Sequence, residues 1–373
     1  MLLAFTLLSC AVTATVLALS VLVAPFDAAA PSVLVRWDAL HFLHIAHCGY
    51  VYEHEWAFFP ALPFLLARLP NTPFAPAFLS FALAFETSAT MHALSRHHLP
   101  SPALSRLAAL LALLPSSPAT LHLAPYNEPF FTYLSYKGML YCARARYLPA
   151  ALCFTLAAAF RSNGFLLAGF IVWGLLVQPF LDRKPLTPKS VLVCVVLAAL
   201  PLTPFVAHNY AAYLAFCAAP RTDAPAWCAN RVPLIYSHVQ ARYWNNGFLR
   251  YWTLAQLPNF LIAAPPLLAI SAFSIHHLRR RLRHLAHPAT PLRPFDAPSI
   301  TPHALHTLFV AATLLFASHT QIVLRLAAAM PLTYWAAAWL LVDHPAWGRA
   351  WVAWSVLWGI LSVLLWGAFL PPA

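Results

Sequence analysis

LLAFTLLSCAVTATVLALSVLVA, residues 2–24, carries no charged side chain. As a helix rising 1.5 Å per residue, such a run reaches about 30 Å, the thickness of a bilayer's hydrocarbon core. It is longer than the apolar region of a removable leader and has no basic segment before it, so it is read as a retained first span. AAAP at 28–31 and LLSC at 7–10 resemble a cleavage site and a bacterial lipidation site, and the same missing basic segment argues against both. Uncharged runs recur at 190–207 and 350–370, in a chain of 373 residues that is 61% hydrophobic and 9% charged, with a mean hydropathy of +0.70. The 34 prolines do not oppose this reading, because neighbouring membrane helices satisfy the backbone groups that proline frees. The longest polar stretches, 213–252 and 276–302, are too short for a folded soluble domain. The expectation is an all-α polytopic membrane protein in which 1–373 form one transmembrane domain.

Working outward from the first run, about eleven spans are predicted, near 2–24, 72–94, 103–122, 127–143, 147–160, 165–181, 190–211, 253–275, 303–317, 322–342 and 350–370. Alternate connections then collect Arg96 and Arg106; Arg144 and Arg146; Arg183, Lys184 and Lys189; Arg279, Arg280, Arg281, Arg283 and Arg293; and Arg349, thirteen of the 22 basic residues. By the positive-inside rule these connections are cytosolic, among them the basic loop 276–302. The loops 25–71, 123–127, 161–164, 213–252 and 318–321 fall on the other side with Asp27, Asp38, Glu53, Glu55, Glu128 and Asp223, six of the ten acids. Topology thus accounts for most of the +12 net charge, and nucleic-acid binding is set aside. RRRLRH at 279–284 suits anionic lipid headgroups.

Three of those acids crowd VRWDALHFLHIAHCGYVYEHEWAFFP, residues 35–60. Ionisable groups are costly near lipid, so this loop is the predicted working site. DALHFLHIAHC, 38–48, sets Leu40, Phe42, Leu43, Ile45 and Ala46 against Asp38, His41, His44 and His47. It reads as a short amphipathic helix lying in the interface with its polar strip facing the lumen. Asp38 at its start is either a cap or a reactive carboxylate. The three histidines lack the i, i+4 spacing of a helical zinc pair and no HExxH motif occurs, so no metal is expected. Glu53 and Glu55 sit among aromatics in a segment held against the membrane surface, or simply in a solvated turn.

RWDALHFLHIAHCGYVYEHEWAFFP (36–60) resembles the first luminal loop of the PIG-V family of GPI mannosyltransferases. FRSNGFLLAGF (160–170), SHVQARYWNNGFLRYWTLAQLPNFLIAAP (237–265) and SHTQIVLRLAAAMPLTYW (318–335) are similar to further blocks of that family, in the same order. The resemblance implies a GT-C-like helix bundle in the endoplasmic reticulum membrane and transfer of mannose from dolichol-phosphate mannose to a GPI glycolipid precursor. It brings in membrane lipid and leaves a small accessory membrane subunit among the candidate partners; no cofactor is expected. Residence in the endoplasmic reticulum rests on the resemblance alone.

Going from a β-linked lipid phosphate to an α-mannoside inverts the anomeric carbon, which calls for one carboxylate as base. The resemblance points to Asp38, which follows Trp37 as in the family's Trp-Asp pair, with Glu53 second. The departing phosphate needs guanidinium donors, for which Arg161, Arg242, Arg250 and Arg325 are candidates. Asn163, His238, Asn245, His319 and Gln321 complete the predicted substrate contacts, with Trp37. Each has a plainer alternative: Arg161 and Asn163 as helix-end anchors, Asn245 as a turn residue, Arg325 as a snorkelling side chain. Tyr126, Asn127 and Glu128 form a further rim, and Glu86 and Lys137 are read as a buried pair or as substrate contacts. Cys217 and Cys228, eleven apart in one luminal loop, can bond in that compartment. The rival classes are another dolichol-dependent mannosyltransferase, a lipid transporter or scramblase, and a non-catalytic subunit. A transporter of the common repeat type would show related halves, and no internal repeat is visible.

Overall fold

The computed structural model describes residues 1–23, 25–26, 32–70, 72, 74–218, 225–287 and 293–372. Asp27 and Asp223, two of the six acids assigned to luminal loops, lie outside the described residues. Among the described residues there are helices and no strands, and the protein is an all-α polytopic membrane protein.

Seven helices are long and apolar enough to cross a bilayer: α1 (Leu2–Ser20), α2 (Phe74–His98), α3 (Ser162–Leu181), α4 (Pro188–Phe216), α5 (Leu254–Ala286), α6 (Pro298–Phe316) and α7 (Pro345–Gly367). The pair Thr320–Ala329 and Pro331–Asp343, bent by 90°, makes an eighth if its two halves are one span. The remaining three of the eleven predicted spans are shorter. The run 103–122 breaks into helices Pro102–Leu111 and Pro118–His122 around the prolines of LLPSSP, which cannot donate to a helix. Glu128–Ala143 and Tyr147–Phe160 have 16 and 14 residues, so they are about 24 and 21 Å long, less than a full bilayer core. They form an antiparallel hairpin in which Ala150, Ala151, Phe154 and Ala157 are fully buried while Leu148, Leu152 and Leu156 face outward. At Gly138 an added Cβ would lie 2.3 Å from the Phe154 ring, so this crossing tolerates no larger residue.

The helices are arranged as lipid requires. In α1 the buried side chains are Thr6, Cys10, Thr13, Leu17 and Ser20, at helical spacing, while Leu3, Phe5, Leu7 and Leu8 are exposed. The inward face of α2 likewise includes Ser80, Ala84, Ser88 and Ser95, with Ser80 and Ser88 donating to carbonyls four residues back. Small and hydroxylated residues let helices approach closely where lipid already satisfies the apolar face. Glu86 is exposed on α2 and Lys137 lies 5.6 Å over the Tyr133 ring, so the two do not form the predicted pair.

Connections gather at two ends, sorted as the basic residues sort them. At the acidic end Asp38 meets Arg325, Glu128 meets Arg161, Glu53 meets Trp227, and the Leu249 amide donates to the Phe316 carbonyl at 2.7 Å. At the basic end His98 meets His303 and Arg280 meets Asp296. Short as it is, the hairpin 128–160 spans the same two ends. Cys217 and Cys228 form a disulfide at the acidic end, beside buried Trp227. With the orientation that the positive-inside rule favours, an N-glycosylation acceptor inserted near residue 225 should be modified and one near 287 should not, read as a mobility shift removed by glycosidase. Modification at 287 alone would invert the protein.

Candidate active site

The loop 32–66 is tied down by its own polar groups before it forms any site. Arg36 donates to the Ser32 carbonyl at 2.6 Å and its guanidinium lies 5.0 Å from the Phe369 ring. Trp37 takes a positive φ of 52°, a backbone state that a non-glycine residue adopts at some cost. This turn makes Asp38 the first residue of the helix Asp38–Cys48. The Asp38 amide donates to the Tyr126 hydroxyl at 3.0 Å, and that hydroxyl donates to the Arg36 carbonyl at 3.3 Å.

The helix buries Ala39, Phe42 and Ile45. Of its predicted polar strip His47 is exposed, but His41 and His44 are engaged by the protein. His41 stacks on Phe58 at 4.8 Å and His44 bonds to Glu55, because the chain folds back across the helix. Glu55, 1% exposed, accepts from the Val51 and Tyr52 amides at 2.8 and 2.9 Å. Burial opposes its charge, but the Tyr52 and Val51 amides and the His44 ring outweigh it and hold the carboxyl below the usual range. Glu53 accepts from the Trp227 indole at 2.9 Å and the Tyr243 hydroxyl at 3.1 Å, with His238 at 3.5 Å. Two of the three crowded acids therefore organise the loop itself.

Asp38 opens onto a cavity of about 310 Å³, and five other predicted site residues line it with Asp38: Arg161, Asn163, His319, Gln321 and Arg325. His319 bonds to the Trp244 carbonyl at 2.6 Å, and Gln321 accepts from Tyr251 at 2.7 Å. The other predicted contacts fall outside the cavity lining. Trp37 stacks on Phe369, His238 sits with Glu53, and Arg242 is exposed. Asn245 has φ 51°, the turn geometry that asparagine tolerates, and its neighbour Asn246 lines the cavity, bonded to Gln240. Arg250 is exposed and packs beside Gly247.

Four charges form a chain at the cavity floor. Arg325 Nη1 donates to Asp38 Oδ2 at 2.8 Å and its Nε to Glu128 Oε1 at 2.7 Å; the same Glu128 oxygen accepts from Arg161 Nη1 at 2.6 Å. The Arg325 guanidinium lies 4.8 Å from the centre of the Tyr126 ring. Glu128 is 3% exposed and Asp38 33%, so one carboxylate is locked inside and the other faces the cavity. Asp38 Oδ1 makes no hydrogen bond to a described residue, leaving it open to a hydroxyl proton. Two guanidiniums and one carboxylate line the space, and Glu128 beneath them supplies the fourth, balancing charge. Sequence reasoning placed Glu128 on a rim and missed its central role; its signal was an acid opening a helix in PYNEP, within a chain of only ten acids. Tyr236 and Gln240, also in the lining, carried no such signal.

At the acidic end of this helical membrane bundle a cavity pairs a carboxylate with two guanidiniums, an arrangement that suits the class of enzymes acting on lipid-linked substrates at the membrane surface. The family model described as Mannosyltransferase (PIG-V) matches residues 6–373, and the chain belongs to that family. It is similar to mouse (Mus musculus) GPI alpha-1,6-mannosyltransferase 2, 32% identical over 371 residues that cover 83% of this chain and 73% of the mouse protein. To the human (Homo sapiens) protein of the same name it is 33% identical, with the same coverages. To GPI mannosyltransferase 2 of Cryptococcus neoformans it is 30% identical, covering 92% of this chain and 89% of the other. No solved structure matches. The protein is a glycosyltransferase, a mannosyltransferase of GPI-anchor biosynthesis.

The chain of charges predicts the cost of breaking it. Glu128→Gln keeps the shape and removes the charge between two buried guanidiniums, and should destabilise the protein by about 2–4 kcal/mol, seen as a lower Tm in detergent. An unchanged Tm would show that the two arginines do not depend on Glu128.

Proposed function

We propose that this mannosyltransferase transfers the second, α1,6-linked mannose from dolichol-phosphate mannose to the GPI glycolipid precursor at the luminal face of the endoplasmic reticulum membrane, within a GT-C-like bundle. The observation that supports it best is the placement of Asp38 Oδ1 in the same cavity as Arg161 and Arg325. The acceptor hydroxyl attacks the anomeric carbon of mannose as the bond from that carbon to the phosphate oxygen breaks. The hydroxyl proton passes to Asp38, and dolichyl phosphate leaves with the bonding pair. Attack opposite the leaving group inverts the configuration and needs no second acid, since phosphate departs readily. Arg161 and Arg325 meet the charge that grows on the phosphate, where donors aimed in advance have their largest effect. Asn163, His319 and Gln321 supply hydrogen bonds to sugar hydroxyls on the cavity wall.

The acidic end suits the lumen because the Lys- and Arg-rich connections lie at the other. The names of the mouse, human and fungal relatives support the linkage and the acceptor. Supplying the chain to cells that lack the second GPI mannose should restore the two-mannose intermediate in their lipid extracts. Continued accumulation of the one-mannose lipid, with the protein present in the membrane, would refute the assignment.

Asp38 can be separated from a capping role in that assay. Its side chain makes no capping bond, and Asn keeps an oxygen that can accept from Arg325, so Asp38→Asn should leave the protein folded, yet it cannot take the proton, and transfer should drop by roughly a hundredfold or more. Glu53→Gln is the matched comparison: with Glu53 bonded to Trp227 and Tyr243, it should weaken the loop while leaving a larger share of the transfer rate. Near-normal transfer by Asp38→Asn together with a collapse in Glu53→Gln would move the base to Glu53.

A further inference from the structure

The basic end carries a second cavity, of about 420 Å³, between α5 and the helix Pro331–Asp343. Its wall changes character along α5. Ala272 and Ile275 come first, and His276, Arg279, Arg280 and Arg283 follow at the i, i+3, i+4, i+7 spacing that sets them on one face. Trp339 forms the opposite wall, with its ring centroid 5.1 Å from that of His276 and 4.8 Å from that of His344.

The arginines are not equivalent. Arg280 is committed to Asp296, with Nε at 3.1 Å and Nη2 at 2.7 Å. Arg279 and Arg283 are exposed, and neither makes an ion pair or hydrogen bond to a described residue. Asp296 and exposed Asp343 are the acids close enough to act on His276. Three arginines against two carboxylates leave the cavity cationic, and the carboxylate bonded to an arginine belongs to Arg280.

The lipid-facing side of α5 makes the same transition. Leu261, Leu268 and Ile275 are 65%, 68% and 39% exposed, and beyond them the exposed side carries Arg279 and Arg283 flanking Leu282, which is 67% exposed. Such a switch, with an aromatic ring beside it, marks the boundary between hydrocarbon and headgroups. A ligand that satisfies both walls has an anionic head and an apolar chain.

We propose that this cavity binds an anionic phospholipid, with its phosphate between Arg279 and Arg283 and one acyl chain along Ala272 and Ile275. Guanidinium groups hold phosphate through paired N–H donors, a geometry that a diffuse surface charge does not reproduce. The site lies at the opposite end from Asp38 and does not depend on the proposed reaction.

The test titrates the full-length protein in neutral detergent with fluorescent phosphatidylserine and with phosphatidylcholine of the same chains. Saturable binding of phosphatidylserine, about tenfold or more tighter than phosphatidylcholine and weakened about tenfold in R279Q/R283Q, is expected from the loss of charge-assisted contacts. R96Q/R349Q removes the same charge from the same end outside the cavity and should bind as the parent does. A272W fills the apolar part with all charges intact and should also weaken binding, which keeps the test decisive if the arginine double variant fails to fold. Glycerol phosphate has the head chemistry without the chain and should compete poorly. Undiminished binding in A272W or R279Q/R283Q, or an equal loss in R96Q/R349Q, would overturn the proposal. So would glycerol phosphate competing as well as lipid, which would make this a soluble-phosphate site.

Discussion

One oxygen of Glu128 accepts from both Arg161 and Arg325, and the acidic end is built around that shared contact. Two guanidiniums brought together in a membrane bundle repel each other and lose their hydration, a cost of several kcal/mol per ion that only a well-placed opposite charge offsets. Glu128 supplies that charge at the start of a short helix, where the free backbone amides also favour a carboxylate. Arg325 can then spend a remaining N–H on Asp38. The pairing has a direction: the buried carboxylate neutralises the arginines, and the exposed one keeps an oxygen free. A cavity with the four groups in the opposite order would have its base buried and its cations loose.

This contact makes sense of several shapes in the fold. Glu128 opens the first helix of the hairpin 128–160 and Arg161 follows its second, so the hairpin must bring its two ends together. Arg325 sits in the first half of the bent pair 320–343, and the 90° break places it beside Glu128 while the rest of the segment continues through the bundle. Asp38 arrives from a loop, which explains how many bonds hold that loop: the Tyr126 hydroxyl at its backbone, Glu55 on its amides, and Glu53 on Trp227 and Tyr243. A carboxylate carried on a loop is held in place only if its neighbours remove the loop's freedom, and here the partners from outside the loop are Tyr126, Trp227 and Tyr243.

The membrane class, the helices, the two ends and the Asp38 loop were all legible in the sequence, since each rests on local composition. Run length and charge suffice to find 2–24 or 350–370. They do not reveal that 127–143 and 147–160 are shorter helices, the first buried in the bundle and the second packed on one face only, because an apolar run has the same composition whether protein or lipid surrounds it. Asp38, Arg161, Asn163, His319, Gln321 and Arg325 were picked out one by one, and the fold brings them to one cavity. Glu53 and Glu55 were grouped with Asp38 by nearness in sequence, and the fold separates them by what they bond to. Asn245 and Asn246 differ by one residue, and a one-residue difference in a turn is decided by a backbone angle that composition does not encode. Glu128 was underweighted because it was read only as one of three rim residues with Tyr126 and Asn127, and its partners Arg161 and Arg325 lie 33 and 197 residues away.

Scarcity was the better guide, and it applies with different force at the two ends. At the acidic end every carboxylate described in the lumen-assigned loops is engaged: Glu53, Glu55 and Glu128 in holding structure, and Asp38 half held and half free. At the basic end arginines outnumber acids, so Asp296 engages Arg280 while Arg279 and Arg283 are left facing outward. The same inequality of charge that sets the orientation of the chain in the membrane therefore leaves unspent donors on the side away from the chemistry. An enzyme working on lipid substrates needs its cavity held at a fixed depth relative to the bilayer surface, because a shift of one helical turn, about 5.4 Å, would move Asp38 past the acceptor hydroxyl in the transfer we propose. Basic side chains that engage headgroups at the far end, together with the interfacial tryptophans, restrain that depth without adding any charge to the cavity itself.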